Sequence, residues 1–307
     1  MTENVQNRKK PKISNGYKDI SVELIDYNMN IAEHAWNCYR MTWNDLQNIE
    51  YNPQNPDVRE CIKNIILMRA LPMPREQAIM TFRINNISRV CLAQITRQRK
   101  ACFNVESQMP RPINHNVILP LNIAKSEFAE RAKQLIKDSQ ALYNDLIKAG
   151  FPPQDTRYIT MHGQTTSLVY VVDINTFVSS FGFRCENNLS DEINLVYRLC
   201  KKAILDKINE DYDNKKIDFW TYTFYNEIIS KADCAGASKH VGQNYDKVFG
   251  NSFERYPSMN KEIEDITENC DYDYKKSAWY LELKRIAKLH PELLFDNEKE
   301  MIDSWKN

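Results

Sequence analysis

The sequence has few glycines and lacks the glycine-rich loops that cradle phosphate. Only seven of its 307 residues are glycine, and neither GxGxxG nor GxxxxGK[ST] occurs among them. Backbone phosphate cradles of the Rossmann and P-loop kinds need those glycines, so both of these classes are excluded. If this protein binds a nucleotide, its side chains must hold the phosphate.

The chain also lacks net charge and long apolar runs. Lysine plus arginine equals aspartate plus glutamate at 41 each, which gives a formal net charge of zero. No long-range attraction toward nucleic acid or an anionic membrane follows from that balance, so an anion site must be a local cluster. We therefore expect no nucleic-acid partner. Because nowhere do eighteen apolar residues run together, we also expect a soluble protein with no membrane partner.

The eight cysteines are scattered, without a CxxC pair or a metal-ligand spacing. Reduced thiols are therefore the expected state, and we predict a cytoplasmic protein, in the host cytoplasm if it is viral, with no metal site. The first residues are polar and basic and lack an apolar leader, so we expect residues 1–17 to form a flexible basic tail. That tail could touch nucleic acid, but a solvated tail is the favoured interpretation.

Apolar patterns along the chain predict a mixture of helices and strands. Period-two patterns predict strands at 20–26 and 78–84, and patterns with spacings of three and four predict helices at 31–46, 57–69, 123–148 and 191–211. Proline-punctuated residues 108–122 read as a loop. Residues 213–307 are helical in tendency but polar and tyrosine-rich, and we predict a C-terminal helical extension of unknown role there.

The densest polar chemistry lies in residues 89–108. Three arginines, four amides, a carboxylate and two hydroxyls fall within these twenty positions, after an alternating apolar run. Ser88 is placed to cap a helix from Arg89 to about Thr96, which leaves residues 97–107 near its C-terminal end. The pattern predicts an anion-binding cluster, and the alternative is that the arginines form structural ion pairs.

Part of this stretch resembles the signature of the flavin-dependent thymidylate synthases. Arg97-Gln98-Arg99, seven residues and then Ser107 is similar to that family's Arg-His-Arg, seven residues, Ser. Gln94 stands three residues before Arg97, where the family has a glutamine. A short pattern of this kind is weak evidence by itself.

Flanking segments strengthen the resemblance, which covers roughly residues 18 to 212. Residues 74–77 (Pro-Arg-Glu-Gln) resemble the family's Pro-Phe-Glu-His, and a Thr-Phe strand follows in both. Residues 149–152 (Ala-Gly-Phe-Pro) and then Arg157 resemble its Ser-Gly-Val-Pro and the arginine beyond it. Arg184, eight residues before Glu192, is similar to the family's Leu-Arg and the helix start that follows.

The resemblance implies both a fold and a reaction. The fold would be α+β, an antiparallel sheet flanked by helices, over a domain of residues 18–212. The reaction would be FAD-dependent transfer of a one-carbon unit to carbon 5 of a pyrimidine deoxynucleotide, dUMP in the first instance, with NADPH and methylenetetrahydrofolate as co-substrates. The resemblance also implies a homotetramer whose sites are shared between subunits.

The resemblance further implies roles for individual residues. Arg184 would polarise the pyrimidine, and Ser107 is the second candidate catalytic residue, as a positioning hydroxyl because no histidine spacing supplies a base for a nucleophile. The predicted substrate-binding residues are Gln94, Arg97, Glu106, Ser107, Gln108, Arg157 and Arg184. The predicted cofactor-binding residues are Glu76, Gln77, Arg97, Gln98, Arg99 and Asn104.

Departures from the family pattern keep two other functions open. Two family histidines are replaced by Gln98 and Gln77, which retain hydrogen bonding but lose the titratable ring, and Met109 stands where the family has an arginine. One alternative is therefore a divergent dUMP or dCMP hydroxymethylase that serves modified viral DNA. The other is a non-catalytic nucleotide-binding relative that has lost flavin.

Overall fold

A computed structural model describes residues 12–43, 45–70, 72–108, 116–185, 190–230, 232, 263, 267–268 and 278–304. In these ranges the strands are β1 (Ile13–Asn15), β2 (Ser21–Tyr27), β3 (Ile79–Ser88), β4 (Ala101–Val105), β5 (Val117–Leu119) and β6 (Thr165–Asp173). The helices are α1 (Ile31–Arg40), α2 (Pro56–Ile66), α3 (Met73–Glu76), α4 (Arg89–Ile95), α5 (Leu121–Ala124), α6 (Ala129–Lys148), α7 (Pro153–Thr156), α8 (Ile174–Arg184), α9 (Asp191–Asp213), α10 (Phe219–Ser230), α11 (Ala278–Leu289) and α12 (Asp296–Ser304). Short 3₁₀ turns follow α7 and α11.

The main sheet has four strands in the order β2-β3-β6-β4, and every pair is antiparallel. Strands β3 and β6 occupy its centre because both are rich in alternating apolar and β-branched residues. Helices cover one face of this sheet. The predicted α+β class, an antiparallel sheet flanked by helices, is confirmed.

The core lies between one sheet face and the helices. Met80, Phe82 and Ile84 of β3 point into it, as do Tyr170 and Val172 of β6. The opposite face is open, and there Arg83 and Glu23 form an exposed ion pair at 2.8 Å. This alternation of buried and exposed residues is the two-residue period of a strand with one covered face.

A bulge in β3 redirects the chain into α4. The register of β3 against β6 shifts between Ile84 and Ile87, and Asn86 inside the bulge has φ +61°. The Asn86 amide donates to the Asp19 carbonyl at 3.0 Å, which helps to hold this left-handed conformation. After the bulge both Ile87 and Ser88 are buried, so Ser88 reaches the position from which it caps α4.

A second, two-stranded sheet lies beside α6. Strand β1 pairs in parallel with β5, and Val117, Leu119 and Ile136 form a small separate core there. Residues 13–17 were assigned to the flexible basic tail (1–17), but they instead form this strand and the turn after it, because β5 supplies hydrogen-bonding partners. Residues 1–11 lie outside the described ranges.

Several predicted boundaries were wrong. The stretch 97–107 was placed near a helix end, but residues 101–105 form strand β4, since they pair with β6 along their whole length. Helix α1 ends at Arg40 rather than at residue 46, where the chain turns through a Thr42–Tyr39 hydrogen bond. Helix α6 begins at Ala129 rather than at residue 123, and the predicted loop 108–122 contains β5 and the start of α5.

The C-terminal extension (213–307) begins inside the main core. Helix α10 is nearly all buried, and Trp220, Phe224 and Tyr225 belong to the same cluster as the sheet. The proposed domain limits at residues 18 and 212 stay predictions, but residues 219–230 pack with the domain rather than outside it. None of the helices in the described ranges combines the length and the apolar character needed to cross a bilayer.

A buried lysine on α9 caps the end of α10. Lys201 is 2% exposed, and its ammonium donates to the carbonyls of Ser230 and Ala232 at 2.9 and 2.7 Å. It also lies 5.1 Å from the centre of the Phe181 ring. Positive charge at a helix C-terminus satisfies carbonyls that have no partner inside the helix.

We expect Lys201→Met to destabilise the fold by about 2 to 4 kcal/mol, because it leaves two carbonyls without their donor in a buried site. Chemical denaturation measures this free energy. The neighbouring Lys202→Met is the matched control: Lys202 pairs with Asp206 at the surface, and its loss should change the free energy of unfolding by less than about 0.5 kcal/mol. Equal effects of the two substitutions would contradict the capping role.

Candidate active site

The start of α4 is fixed by a buried carboxylate. Glu192 is 4% exposed, and it accepts hydrogen bonds from the Ser88 backbone N–H at 2.6 Å and from the Ser88 hydroxyl at 2.5 Å. The Ser88 hydroxyl in turn accepts from the Cys91 N–H at 3.0 Å, which is the predicted helix cap. Burial raises the pKa of Glu192, and the hydrogen bonds from Ser88 oppose that shift.

Strand β4 returns toward the start of helix α4, so the first and last residues of this unit lie at the same end of it. Arg89 begins the helix, and Glu106 follows the strand. Burial lowers the pKa of Arg89; the facing Glu106 carboxylate opposes this shift, and the nearby Arg157 guanidinium adds to it. The Arg89 Nε is buried and has no hydrogen-bond partner among the described residues. Two arginines and one carboxylate are therefore close enough to influence one another's charge, and Arg89 keeps this unpartnered donor.

The other predicted residues at this end lie beside that cluster. The Glu106 N–H donates to the Ser167 carbonyl at 2.9 Å, which leaves Ser107 exposed just beyond the sheet. The Gln108 amide donates to the Gln164 side chain at 3.4 Å. Arg157 is held by a bond from its Nε to the Gln154 carbonyl at 3.1 Å. We call the set Arg89, Glu106, Ser107, Gln108 and Arg157 the first group.

A second group lies toward the other end of α4. Arg184, the last residue of α8, donates from Nη2 to the Gln94 carbonyl at 3.0 Å, and its guanidinium lies 5.3 Å from the Phe183 ring centre. The Gln94 Oε1 atom is buried and has no hydrogen-bond partner among the described residues. An acceptor and an arginine thus lie side by side, with capacity for a polar ligand.

Gln98 lies in the turn after α4, but its amide faces inward. Oε1 accepts from the hydroxyls of Tyr170 and Tyr197 at 2.5 and 3.2 Å. Nε2 donates to the Thr176 carbonyl at 3.1 Å and to the Ser180 hydroxyl at 2.5 Å. A flavin contact by this amide, as predicted, would compete with four hydrogen bonds inside the chain.

The remaining predicted cofactor residues are spread over the turn before β4, strand β4 itself and the end of α3. Arg97 and Arg99 are exposed, and Asn104 is exposed on β4. Glu76 lies 3.9 Å from the Lys100 ammonium, which brings the end of α3 to the same turn. Gln77 is exposed, and its carbonyl accepts from the Asn28 amide at 3.1 Å.

The site residues predicted from the sequence did not include Arg89, which was counted only within the anion-binding stretch 89–108, or Glu192, which was named only as part of the family motif. Arg89 follows the helix cap directly, and only the return of β4 brings it to Glu106. The buried Arg75 was also missed; burial lowers its pKa to about 10, with Asp173 opposing the shift. The sequence did carry a signal for Arg75, since this arginine stands between Pro74 and Glu76, where the family pattern has a phenylalanine.

The two groups and the turn before β4 thus present cationic and polar side chains on an antiparallel α+β scaffold. The family model described as "Thymidylate synthase complementing protein" matches residues 23–208. The chain belongs to this family, and the resemblance seen in the sequence is confirmed.

Curated relatives carry the name "Flavin-dependent thymidylate synthase". The protein of Thermococcus onnurineus is 30% identical over 118 residues, which are 36% of this chain and 48% of that protein. The protein of Pyrococcus abyssi is 27% identical over 175 residues, 54% of this chain and 72% of that one. Against the first of these relatives, the chain spans about half of the relative's length.

A solved structure shares the fold. It is a UMP/dUMP methylase from Streptomyces cacaoi bound with 5-Br dUMP, and it superposes with a TM-score of 0.52 at 16% sequence identity. The superposition covers 70% of this chain and 96% of that one. At this identity the likeness shows the architecture alone.

We expect Glu192 to contribute less stability to the fold as the pH rises. A carboxyl whose pKa is raised on folding binds its proton more tightly in the folded state, so the fold loses stability as the pH rises from the ordinary value of 4.5 through the raised one. Between about pH 5 and pH 8, the cost of Glu192→Gln should therefore decrease, by about 1.4 kcal/mol for each unit by which the pKa is raised. Denaturant unfolding of both proteins across this range measures the difference.

Ser88→Ala serves as the control, because it removes one donor to the carboxylate without removing the ionisable group. Its cost should not decrease with pH in the same way. A cost of Glu192→Gln that stays constant or grows from low to high pH would show that burial does not dominate at this carboxylate.

Proposed function

We propose that this protein is an FAD-dependent enzyme that transfers a one-carbon unit to carbon 5 of dUMP. Its membership of the thymidylate synthase complementing protein family and the name shared by its curated relatives support a flavin-dependent reaction on a pyrimidine nucleotide. The Streptomyces cacaoi protein of the same architecture is a UMP/dUMP methylase, so this architecture accommodates methylation of a uracil nucleotide.

The observation that carries the proposal is the pairing of Gln94 with Arg184. A uracil ring offers one N–H donor between two carbonyl acceptors. The unpartnered Oε1 of Gln94 matches the donor, and the guanidinium of Arg184 matches a carbonyl. Cytosine has no hydrogen on the equivalent nitrogen, so this acceptor favours dUMP over dCMP.

The same pair provides the electrostatics that the reaction needs. Carbon 5 of uracil is a weak nucleophile, and it becomes reactive when negative charge can move onto the ring oxygens. Arg184 is held by the Gln94 carbonyl, so its remaining N–H donors are preorganised toward such charge. In this proposal Arg184 is the catalytic residue and Gln94 orients the ring.

The first group supplies the phosphate site. The unpartnered Nε of Arg89 and the adjacent guanidinium of Arg157 are donors suited to a phosphate, while Glu106 keeps the two arginines from repelling each other. Ser107 and Gln108 lie beside them and would position the nucleotide by hydrogen bonds. Ser107 acts here as a positioning hydroxyl rather than as a nucleophile.

The turn before β4 supplies the flavin site. Arg97 and Arg99 are exposed and cationic, and Glu76, Gln77 and Asn104 flank them with polar groups, so the donor set fits the phosphates and polar ring edge of FAD. Redox chemistry would come from FAD with NADPH as reductant, and the carbon unit from methylenetetrahydrofolate.

The proposed enzyme is a homotetramer with shared sites. In one chain the first and second groups lie toward opposite ends of α4, which is about 10 Å long at 1.5 Å per residue. A single nucleotide need not use both groups of one chain, since a neighbouring subunit can supply the other. This arrangement supports sites built between subunits.

The reaction is tested by loading the purified chain with FAD and incubating it with dUMP, methylenetetrahydrofolate and NADPH. We expect the protein to take up visible flavin absorbance and to give a product heavier than dUMP by one methyl group. The same incubation with dCMP should give no product. A hydroxymethyl product would replace the proposal with a hydroxymethylase, and a protein that cannot be loaded with FAD would refute any flavoenzyme.

We expect Arg184→Lys to lower kcat by about 100-fold and to change KM much less, because a lysine keeps the charge but loses the fork of fixed N–H donors. Steady-state kinetics with dUMP measure both parameters. Arg131→Lys on the exposed face of α6 is the matched control and should leave both unchanged. A rise in KM alone would assign Arg184 to ground-state binding.

A further inference from the structure

We infer that Gln98 is a positioning residue, whose amide anchors the turn that presents Arg97 and Arg99. The inference rests on the proposed function, in which those two arginines hold the flavin. It assigns Gln98 to the interior of the domain, although its place in the sequence motif suggests a contact with the ligand.

The hydrogen-bond count carries the inference. A carboxamide has two donors and one oxygen with two lone pairs, and Gln98 uses all of them: two tyrosine hydroxyls on Oε1, and the Thr176 carbonyl and Ser180 hydroxyl on Nε2. A neutral histidine offers one donor and one acceptor, so it could satisfy at most two of these four partners. The network is therefore matched to glutamine.

The partners of Gln98 are themselves rigid. Tyr170 and Tyr197 are 0% and 1% exposed, and both lie within the core. Tyr170 stacks on Phe103 of β4 with ring centres 5.3 Å apart, and Tyr197 stacks on Phe177 of α8 at 5.8 Å. The amide of Gln98 is thus tied to β6, α8 and α9 through groups that have little freedom to move.

The turn transmits this restraint to the arginines. The Gln98 N–H donates to the Ile95 carbonyl at 3.2 Å, so residue 98 continues directly from the end of α4. With the side chain of Gln98 held inside, Arg97 and Arg99 on either side of it lie exposed. Releasing the amide frees the backbone of the turn, from which both arginine side chains extend.

The first test measures the turn itself, without any ligand. Trypsin cleaves after arginine and lysine, and it needs locally unfolded chain. We expect Gln98→Leu and Gln98→His to be cleaved after Arg97, Arg99 or Lys100 about tenfold faster than the wild type, because leucine loses all four hydrogen bonds of the amide and histidine loses at least two. Mass spectrometry of the fragments identifies the sites.

The matched control is Gln134→Leu, which removes an exposed glutamine hydrogen-bonded to Asp138 on α6. It should leave the cleavage rate at the turn unchanged. Tyr170→Phe is the second variant, since it keeps the stacked ring in the core and removes only the hydroxyl. It should also speed cleavage at the turn, and wild-type cleavage rates in both Gln98→Leu and Tyr170→Phe would overturn the inference.

The second test separates an anchor from a ligand by titrating the chain with FAD. If Gln98 acts through the tyrosines, Tyr170→Phe raises the FAD dissociation constant, and it adds little in a Gln98→Leu background. If Gln98 touches the flavin itself, Tyr170→Phe leaves the dissociation constant unchanged while Gln98→Leu raises it, which overturns the inference. A wild-type chain that binds no FAD refutes the proposed function instead. In that case the trypsin result alone decides whether Gln98 anchors the turn.

Discussion

The contact between Glu192 and Ser88 is the constraint on which the rest of the site depends. One carboxylate binds both the backbone and the hydroxyl of the residue where β3 ends and α4 begins, so it joins the sheet, α4 and α9 at a single point. Because Arg89 and Gln94 lie on α4 and Glu106 follows the strand that returns from it, their positions are set from this junction. The bulge at Asn86 makes the contact possible by turning Ser88 into the interior.

Local signals in the sequence predicted the parts of this region that depend on neighbouring residues. Ser88 was recognised as a helix cap, and the cap is present, because a serine before an apolar periodic segment satisfies the free N–H groups of the first turn. Strand β4 was missed because its pairing with β6 spans more than sixty residues and leaves no short-range mark. Arg89 was left out of the predicted site residues for the same reason, since its approach to Glu106 requires that strand to return.

The residues of the candidate site also divide into those that the sequence predicted and those whose role it did not reveal. Arg184 and Gln94 could be predicted from the sequence, because each stands at a fixed position within a family motif. The structure brings them within hydrogen-bonding distance. The environment of Gln98 could not be predicted, since nothing in the sequence shows which way a side chain points from a turn. Motif spacing identifies positions, whereas burial and hydrogen-bond partners distinguish a ligand contact from a support.

The four hydrogen bonds of Gln98 also restrict how this protein can change over evolutionary time. Replacing the glutamine alone removes the acceptor that the hydroxyls of Tyr170 and Tyr197 share in a buried site. Replacing a tyrosine alone leaves the amide oxygen short of a donor. Positions 98, 170 and 197 therefore form a coupled set, and lineages with histidine at the first position should carry different residues at the other two.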